Sequence, residues 1–98
     1  MLMNKSQKEL THRTAVITGA AGTLCSVIAK DLAGKGMKVA LVGRTQSKLD
    51  ALASEIAAAG GSALAVAADV TRTDQVKAAA ERIEAELGTC RILVNGAG

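Results

Sequence analysis

Residues 18–25 read Thr-Gly-Ala-Ala-Gly-Thr-Leu-Cys, and this stretch decides the fold of the chain. It directly follows the short apolar run Ala15–Ile17 and leads into an amphipathic helical pattern. Glycine lets the backbone turn tightly and approach a ligand closely, because it has no Cβ. A helix that follows such a turn presents its unpaired N–H groups and the positive end of its dipole to an anion. The stretch therefore predicts a strand, a turn and a helix that together bind a phosphate.

The rest of the chain repeats this alternation of strand and helix. Apolar runs, typical of strands that are buried on both faces, predict strands at Thr14–Thr18, Lys38–Gly43, Ala63–Ala68 and Ile92–Asn95. Helical periodicity predicts helices at Thr23–Lys35, Ser47–Ala59 and Thr73–Leu87. This order predicts an α/β fold, namely a Rossmann-like doubly wound parallel sheet with strand order 3-2-1-4.

Each predicted helix carries one apolar stripe with charged residues opposite, and such a stripe faces the core. In the first helix the stripe consists of Leu24, Ile28 and Leu32. In the second helix it consists of Leu49, Leu52, Ala53 and Ile56, and in the third of Val76, Ala80, Ile83 and Leu87.

Length and composition indicate one small globular unit. The chain has 98 residues, of which 49% are apolar and 21% are charged, as in folded rather than disordered proteins. The chain ends at Gly98, and the fourth strand would then be an apolar open edge, which natural domains avoid. We therefore predict a flexible leader at residues 1–12, followed at residues 13–98 by the N-terminal part of a larger single domain.

Charge and composition argue against several classes of protein. The net charge is only +3 and no aromatic residue is present to stack on bases, so we expect no nucleic-acid partner. We expect neither a secretory signal nor a membrane helix, because no apolar run approaches the ~20 residues that a membrane helix needs. Cys25 and Cys90 lack the spacing of metal ligands. We therefore predict no metal site and interpret both residues as reduced thiols of a cytoplasmic protein.

Ligands of a doubly wound sheet bind beyond the carboxyl ends of its strands, so the residues after each strand form the candidate site. After the first strand, Gly19 and Gly22 allow close approach of a pyrophosphate, and neighbouring threonines can add hydroxyl groups. The predicted cofactor-binding residues here are Thr18, Gly19, Ala21, Gly22, Thr23 and Leu24. A purely structural glycine turn is the alternative.

The second strand is followed by residues that bear on the choice of cofactor. Gly43, Arg44 and Thr45 lie where a dinucleotide fold meets the adenosine ribose. An acidic residue here binds the 2′-hydroxyl of NAD, whereas an arginine accommodates the 2′-phosphate of NADP. A guanidinium also stacks on adenine and binds phosphate oxygens in pairs. We therefore predict NADP as the preferred cofactor, with NAD as second choice; an ordinary exposed loop arginine is the alternative.

Polar residues also follow the third and fourth strands. Asp69 and Val70 come after the third strand, where the carboxylate either receives the adenine amino group or serves only as a turn residue. Asn95, Gly96 and Ala97 come after the fourth strand, where Asn95 either faces the ligand or only ties the turn. We predict all five residues as part of the cofactor site.

Together these motifs resemble those of the short-chain dehydrogenase/reductase family. The resemblance rests on Thr18-Gly19-x-x-Gly22, Gly43-Arg44, Asp69-Val70 and Asn95-Gly96-Ala97-Gly98, in that order along nearly the whole chain. It implies hydride transfer between a nicotinamide cofactor, NADP or NAD, and a small alcohol or carbonyl substrate, an activity of the EC 1.1.1 type in the full-length enzyme. It also implies a homo-oligomer, either a dimer or a tetramer.

The chain departs from the family pattern at three positions. The usual Thr-Gly-x-x-x-Gly-x-Gly has glycine where Thr23 and Cys25 stand, and the usual Asn-Asn-Ala-Gly has asparagine where Gly96 stands. Cysteine is small and tolerates burial, so we interpret Cys25 as a core residue. The glycine loop is similar to that of a subgroup of the fructuronate reductase and mannonate oxidoreductase type. This similarity implies a sugar acid or a polyol as substrate.

The family's catalytic groups have no counterpart in this chain. The resemblance would require a Tyr-x-x-x-Lys pair and a serine, but the 98 residues contain no tyrosine. We therefore assign no catalytic residue and expect this segment to supply cofactor binding only and to be inactive alone. The alternative is a different class of protein, namely a non-catalytic nucleotide-binding module or a truncated pseudo-enzyme.

Overall fold

A computed structural model describes residues 13–96 of the chain. The strands are β1 (Thr14–Thr18), β2 (Lys38–Gly43), β3 (Ser62–Ala67) and β4 (Cys90–Asn95). The helices are α1 (Thr23–Gly34), α2 (Gln46–Ala58) and α3 (Thr73–Leu87). The predicted leader at residues 1–12 and the predicted site residue Ala97 lie outside the described residues.

The four strands form one parallel sheet in the order β3-β2-β1-β4. The predicted α/β class and strand order are thereby confirmed. The predicted bounds of α1, α2, β3 and β4 are wrong by one or two residues at their ends. The largest difference is in β4, which begins two residues early because Cys90 pairs with Thr14 across an irregularity in the ladder.

Helices cover the sheet on both faces. On one face, α1 and α2 pack against alternate residues of the central strands, among them Ala15, Ile17 and Leu41, which are completely buried. On the other face, α3 packs against the intervening residues, with Ile83 in the same cluster as Ala40. Because side chains alternate across a strand, two separate apolar cores hold the helices to the sheet.

The face that α1 turns to the sheet differs from its predicted stripe. The sequence predicts Leu24 as the first residue of that stripe, but Leu24 is 71% exposed. The buried residues of α1 are instead Cys25, Ala29 and Ala33. Small side chains let the helix lie close to the sheet, since close packing leaves no room for a leucine at these points. The prediction is therefore wrong at Leu24, whereas Cys25 is confirmed as a core residue.

The predicted apolar stripe agrees with the buried residues in α2 but not in α3. The large apolar residues of α2 are buried as predicted, at Leu49, Leu52 and Ile56. In α3 the buried residues are Ala79 and Ile83, whereas Val76 is 42% exposed. The predicted stripe of α3 is thus wrong at Val76 and also at Ala80, which is exposed, because Ala79 rather than Ala80 packs in the core.

Only the two central strands are buried as the sequence predicts. Residues of β1 and β2 are buried or half-buried throughout. In β4, Ile92 and Val94 pack against the core beneath α1, but Leu93 on the opposite face is 64% exposed. The edge strands β3 and β4 have one neighbouring strand each, so they are less covered than the centre of the sheet.

Gly61 is closely packed at the turn between α2 and β3. A Cβ at this position would lie 2.8 Å from Ile56 Cγ2 and 3.2 Å from the Ala33 Cβ, whereas a Cβ at Gly34 would meet nothing within 4 Å. We expect Gly61→Ala to lower the free energy of unfolding by about 1–3 kcal/mol, the usual cost of overpacking. Gly34→Ala is the matched control and should not destabilise the chain. Urea denaturation compares the two variants, and equal loss of stability in both would contradict this packing.

Candidate functional site

The carboxyl ends of all four strands meet at one edge of the sheet, because the strands are parallel. Backbone hydrogen bonds link the segments that follow these strands. The Ala20 N–H donates to the Val42 carbonyl at 3.1 Å, and the Ala68 N–H donates to the Gly43 carbonyl at 2.8 Å. The backbone thus fixes the positions of three strand ends relative to one another.

Two glycines shape the turn between β1 and α1. Gly19 has a φ of +64°, a left-handed conformation that L side chains rarely adopt. Its carbonyl accepts the Gly22 N–H at 3.0 Å, and a Cβ on Gly22 would lie 3.2 Å from the same oxygen. The turn therefore presents backbone, rather than side chains, at the end of β1.

The first turn of α1 follows at once and forms a site for an anion. Gly22 is the N-cap, and no side chain among residues 13–96 caps the helix there. The first intrahelical bond runs from the Ser26 N–H to the Gly22 carbonyl at 2.9 Å, so the N–H groups of residues 23–25 precede the helical ladder. The first turn also contains no acidic residue. A phosphate fits this position, because it would meet free donors and the positive end of the helix dipole.

The end of β4 is tied to the end of β1. The Thr18 hydroxyl donates toward Asn95 Oδ1 at 3.0 Å and toward the Val94 carbonyl at 3.4 Å. The Gly96 N–H donates to the Thr18 carbonyl at 3.2 Å. The side chains of Thr18 and Asn95 thus tie the ends of β1 and β4 together.

Arg44 and Asp69 lie opposite each other beyond β2 and β3. Arg44 Nη2 is 3.5 Å from Asp69 Oδ1, and the two side chains are 72% and 33% exposed. Such an exposed ion pair contributes little to stability. A ligand that offers Arg44 a phosphate can therefore displace the contact with Asp69 at low energetic cost.

Asp69 is held by Thr71, a residue that the sequence analysis missed. The Thr71 hydroxyl and N–H both donate to Asp69 Oδ1, at 2.6 and 2.9 Å. These bonds hold the pKa of the Asp69 carboxyl below its ordinary value, and the guanidinium groups of Arg44 and Arg72 lower the pKa further. Asp69 Oδ1 therefore holds the turn after β3. The Asp-x-Thr spacing is typical of an Asx-turn and could have identified Thr71.

The pKa of Asp69 provides a test of this arrangement. Thr71→Val should raise the pKa toward the ordinary aspartate value, and by more than Arg44→Ala does, because the hydroxyl bond lowers the pKa most. A depressed folded-state pKa stabilises the fold above the ordinary pKa, and this contribution is lost as the pH falls through the folded-state value. NMR titration of the Asp69 side-chain carboxyl carbon measures the change in pKa, with Thr73→Val as the control. A larger shift in Arg44→Ala would contradict this order.

A groove of about 650 Å³ runs along the face of the sheet that carries α3. Its lining is mainly apolar and includes Val76 and Ile83 on α3 and Val16 and Leu93 on the sheet. At one end the groove reaches Thr18, so it adjoins the polar edge described above. The candidate site is thus polar at the strand ends and apolar beside them.

The remaining predicted site residues lie near the same edge. The side chains of Ala21, Thr23 and Thr45 are exposed, and Val70 is 37% exposed. Within residues 13–96, no group of three His, Cys, Asp or Glu side chains could hold a metal ion. In that same part of the chain, no helix combines the length and apolar character that a membrane crossing requires.

The order of these motifs matches a known family. The family model described as short chain dehydrogenase matches residues 13–98, a range that includes all four strand ends. The chain belongs to the short-chain dehydrogenase family. The resemblance recognised in the sequence is thereby confirmed.

Individual short-chain dehydrogenases show how far the similarity extends. The chain is 50% identical to the uncharacterized oxidoreductase UxuB of Bacillus subtilis over 91 residues. These aligned residues make up 93% of this chain and 33% of UxuB. A solved structure from Haemophilus influenzae is provisionally named D-mannonate oxidoreductase and holds NAD. It matches this chain with a TM-score of 0.88 and 40% identity, and the match covers 91% of this chain and 32% of that one. A metagenomic short-chain oxidoreductase in complex with NADP matches with a TM-score of 0.85 and 40% identity over 90% of this chain and 40% of that one. The chain therefore spans between about one third and two fifths of the length of these relatives.

Proposed function

We propose that this chain is the cofactor-binding part of an NADP-preferring oxidoreductase that acts on a small alcohol or ketone. The observation that carries the proposal is the glycine turn followed by the uncapped first turn of α1, since this geometry suits a pyrophosphate. Residues 13–98 would then form the N-terminal part of a larger domain. The share of each relative that the chain spans, about one third, supports this division.

Residues at different strand ends bind different parts of the cofactor. The pyrophosphate binds at Gly19, Gly22 and the first turn of α1, and the Arg44 guanidinium binds the 2′-phosphate. Among the described residues, the contacts of the Asp69 carboxylate fall on Oδ1, so Oδ2 is available to the adenine amino group. Related structures hold NAD in one case and NADP in another. The preference for NADP therefore rests on Arg44.

The chemistry is divided between the cofactor and the protein. When bound, the nicotinamide exchanges a hydride with the substrate, and the chain binds and orients the cofactor. The 98 residues contain no tyrosine. The family's Tyr-x-x-x-Lys pair is therefore not among these residues, so in this proposal the group that exchanges the proton with the substrate oxygen lies outside them, and we expect residues 1–98 alone to be inactive.

A sugar acid or a polyol is the substrate that we propose. The support is the atypical glycine loop and the 40% identity to the relative provisionally named D-mannonate oxidoreductase. We also propose a cytoplasmic homo-oligomer, a dimer or a tetramer, without a nucleic-acid or membrane partner. Leu93 on β4 is an exposed large apolar residue, which is consistent with its burial against another part of the protein or another subunit.

The protein encoded by the complete reading frame that contains these residues tests the proposal. We expect saturable binding in a fluorescence titration with NADPH, weaker binding of NADH, and NADPH oxidation with a member of a panel of keto sugar acids and polyol-derived ketones. Light scattering after size-exclusion chromatography measures the oligomeric state. A titration without saturable NADPH binding would overturn the proposed function.

A non-catalytic nucleotide-binding module is the second candidate, and the absence of tyrosine from the 98 residues favours it. This candidate predicts the same NADPH binding but no turnover with any carbonyl compound. It also predicts that the reading frame contains no Tyr-x-x-x-Lys segment after Gly98. A frame with that segment, together with NADPH oxidation, would exclude it.

A further inference from the structure

Cys25 and Gly96 contact each other where the segment after β4 meets the first turn of α1. Cys25 lies in the first turn of α1 and is 7% exposed, and Gly96 directly follows β4. A Cβ placed on Gly96 would overlap Cys25 Sγ and lie 3.0 Å from the Thr18 carbonyl oxygen. The same oxygen accepts the Gly96 N–H at 3.2 Å, so this hydrogen bond holds the Gly96 backbone in place. A side chain at position 96 is therefore incompatible with Cys25 in its present position.

These two residues are also positions at which the chain departs from the family pattern. The pattern has glycine at the position of Cys25 and asparagine at the position of Gly96, whereas this chain has the small residue directly after β4 and the larger one on α1. We infer that Cys25 and Gly96 are a matched pair, in which the thiol fills the space that a side chain at position 96 would need. The two departures are then one exchange rather than two independent changes.

Cys25 has little freedom to avoid such a side chain. Its side chain is packed in the same core cluster as those of Ala29 and Ala33, on the buried face of α1. In addition, one of the three staggered χ1 rotamers is rare in helices. A side chain at position 96 would therefore either force Sγ into another rotamer within the packed core or push the first turn of α1 away from β4, because close-packed interiors transmit such strain.

The pair also positions the phosphate site, a step that rests on the proposed function. The N–H of Cys25 is one of the groups that precede the helical ladder of α1, since the first intrahelical bond begins at Ser26. Displacement of Cys25 would move these donors relative to the glycine turn. Gly96 is thus a positioning residue that acts on a bound phosphate through Cys25.

Four forms of the protein encoded by the complete reading frame test the pair: the wild type, Gly96→Ala, Cys25→Ala and the double variant. Cys25→Ala removes Sγ and keeps a Cβ at 3.5 Å from the new methyl group, an ordinary contact. We expect Gly96→Ala to shift urea unfolding to lower concentration, and Cys25→Ala to restore most of this loss, since only the 3.0 Å contact with the Thr18 carbonyl oxygen then remains. The coupling between the two changes should be about tenfold in the unfolding equilibrium constant. Cys25→Ala should not rescue Gly61→Ala, the matched control.

NADPH titration of the same four forms tests the positioning role. We expect Gly96→Ala to weaken binding by about tenfold and the double variant to return it to near the wild-type value. Additive effects on unfolding, or a double variant that does not fold, would overturn the matched pair. Unchanged NADPH affinity in Gly96→Ala would overturn the positioning role. If the unfolding data show coupling but the wild type binds no NADPH, the pair stands and the proposed function fails.

Discussion

Arg44→Asp is expected to weaken NADPH binding by about 100-fold. The substitution removes a hydrogen bond to a charged group, worth about 1.5–3 kcal/mol, and adds repulsion between a carboxylate and the 2′-phosphate. Since about 1.4 kcal/mol corresponds to a factor of ten in affinity, the loss of the bond alone accounts for about 10- to 100-fold.

The same substitution should improve NADH binding only slightly. A carboxylate after β2 can accept a hydrogen bond from the 2′-hydroxyl of NADH. However, Arg44 Nη2 lies 3.5 Å from Asp69 Oδ1, so an aspartate at position 44 would face a second carboxylate. Arg44→Ser avoids this repulsion. It should therefore lose NADPH affinity as well, but bind NADH at least as tightly as Arg44→Asp does.

Fluorescence titrations with both cofactors measure these effects. Lys77→Asp is the matched control, because it makes the same change in net charge as Arg44→Asp does, but at an exposed position of α3. It should leave the ratio of NADPH to NADH affinity unchanged. An unchanged ratio in Arg44→Asp would mean that Arg44 is an ordinary loop residue.

The sequence predicts the elements of this fold well because their pattern is local. Buried runs and helical periodicity identify all four strands and three helices, and right-handed crossovers leave few possible topologies. The exact ends depend on partners that are distant in sequence. Cys90 belongs to β4 only because Thr14 is there to pair with it.

The face of a helix is harder to predict when large and small apolar residues lie side by side. Leu24 and Cys25 begin adjacent stripes on α1, and hydrophobicity favours the stripe with leucine. The structure buries Cys25, Ala29 and Ala33 instead, because small residues allow closer contact with the sheet. This choice depends on the distance between helix and sheet, which a local pattern does not contain.

The candidate site divides in the same way. That residues after parallel strands meet at one edge follows from topology, so Thr18, Arg44 and Asp69 could be assigned to one site in advance. Thr71 could also have been found, since its contact with Asp69 is local. The contact between Cys25 and Gly96 could not, because the predicted strand order places the two segments side by side but does not give the separation of their atoms.

Gly22→Val is expected to weaken the binding of NADPH and NADH alike, by about 100-fold. Gly22 has φ −70° and ψ 154°, an extended conformation that valine adopts readily, so the backbone is not strained. The new Cβ would lie 3.2 Å from the Gly19 carbonyl oxygen, and the two methyl groups would occupy space beside the first turn of α1. A phosphate would then lose hydrogen bonds to these N–H groups, each worth about 1.5–3 kcal/mol with a charged partner.

The equal loss for both cofactors separates this effect from that of Arg44→Asp, because the pyrophosphate is common to NADPH and NADH. Gly34→Val is the matched control: it makes the same change at the opposite end of α1, where a Cβ meets nothing within 4 Å. Titration with both cofactors, together with urea unfolding, distinguishes loss of binding from loss of structure. If Gly22→Val folds and binds NADPH as tightly as Gly34→Val does, the glycine turn is structural and the phosphate lies elsewhere.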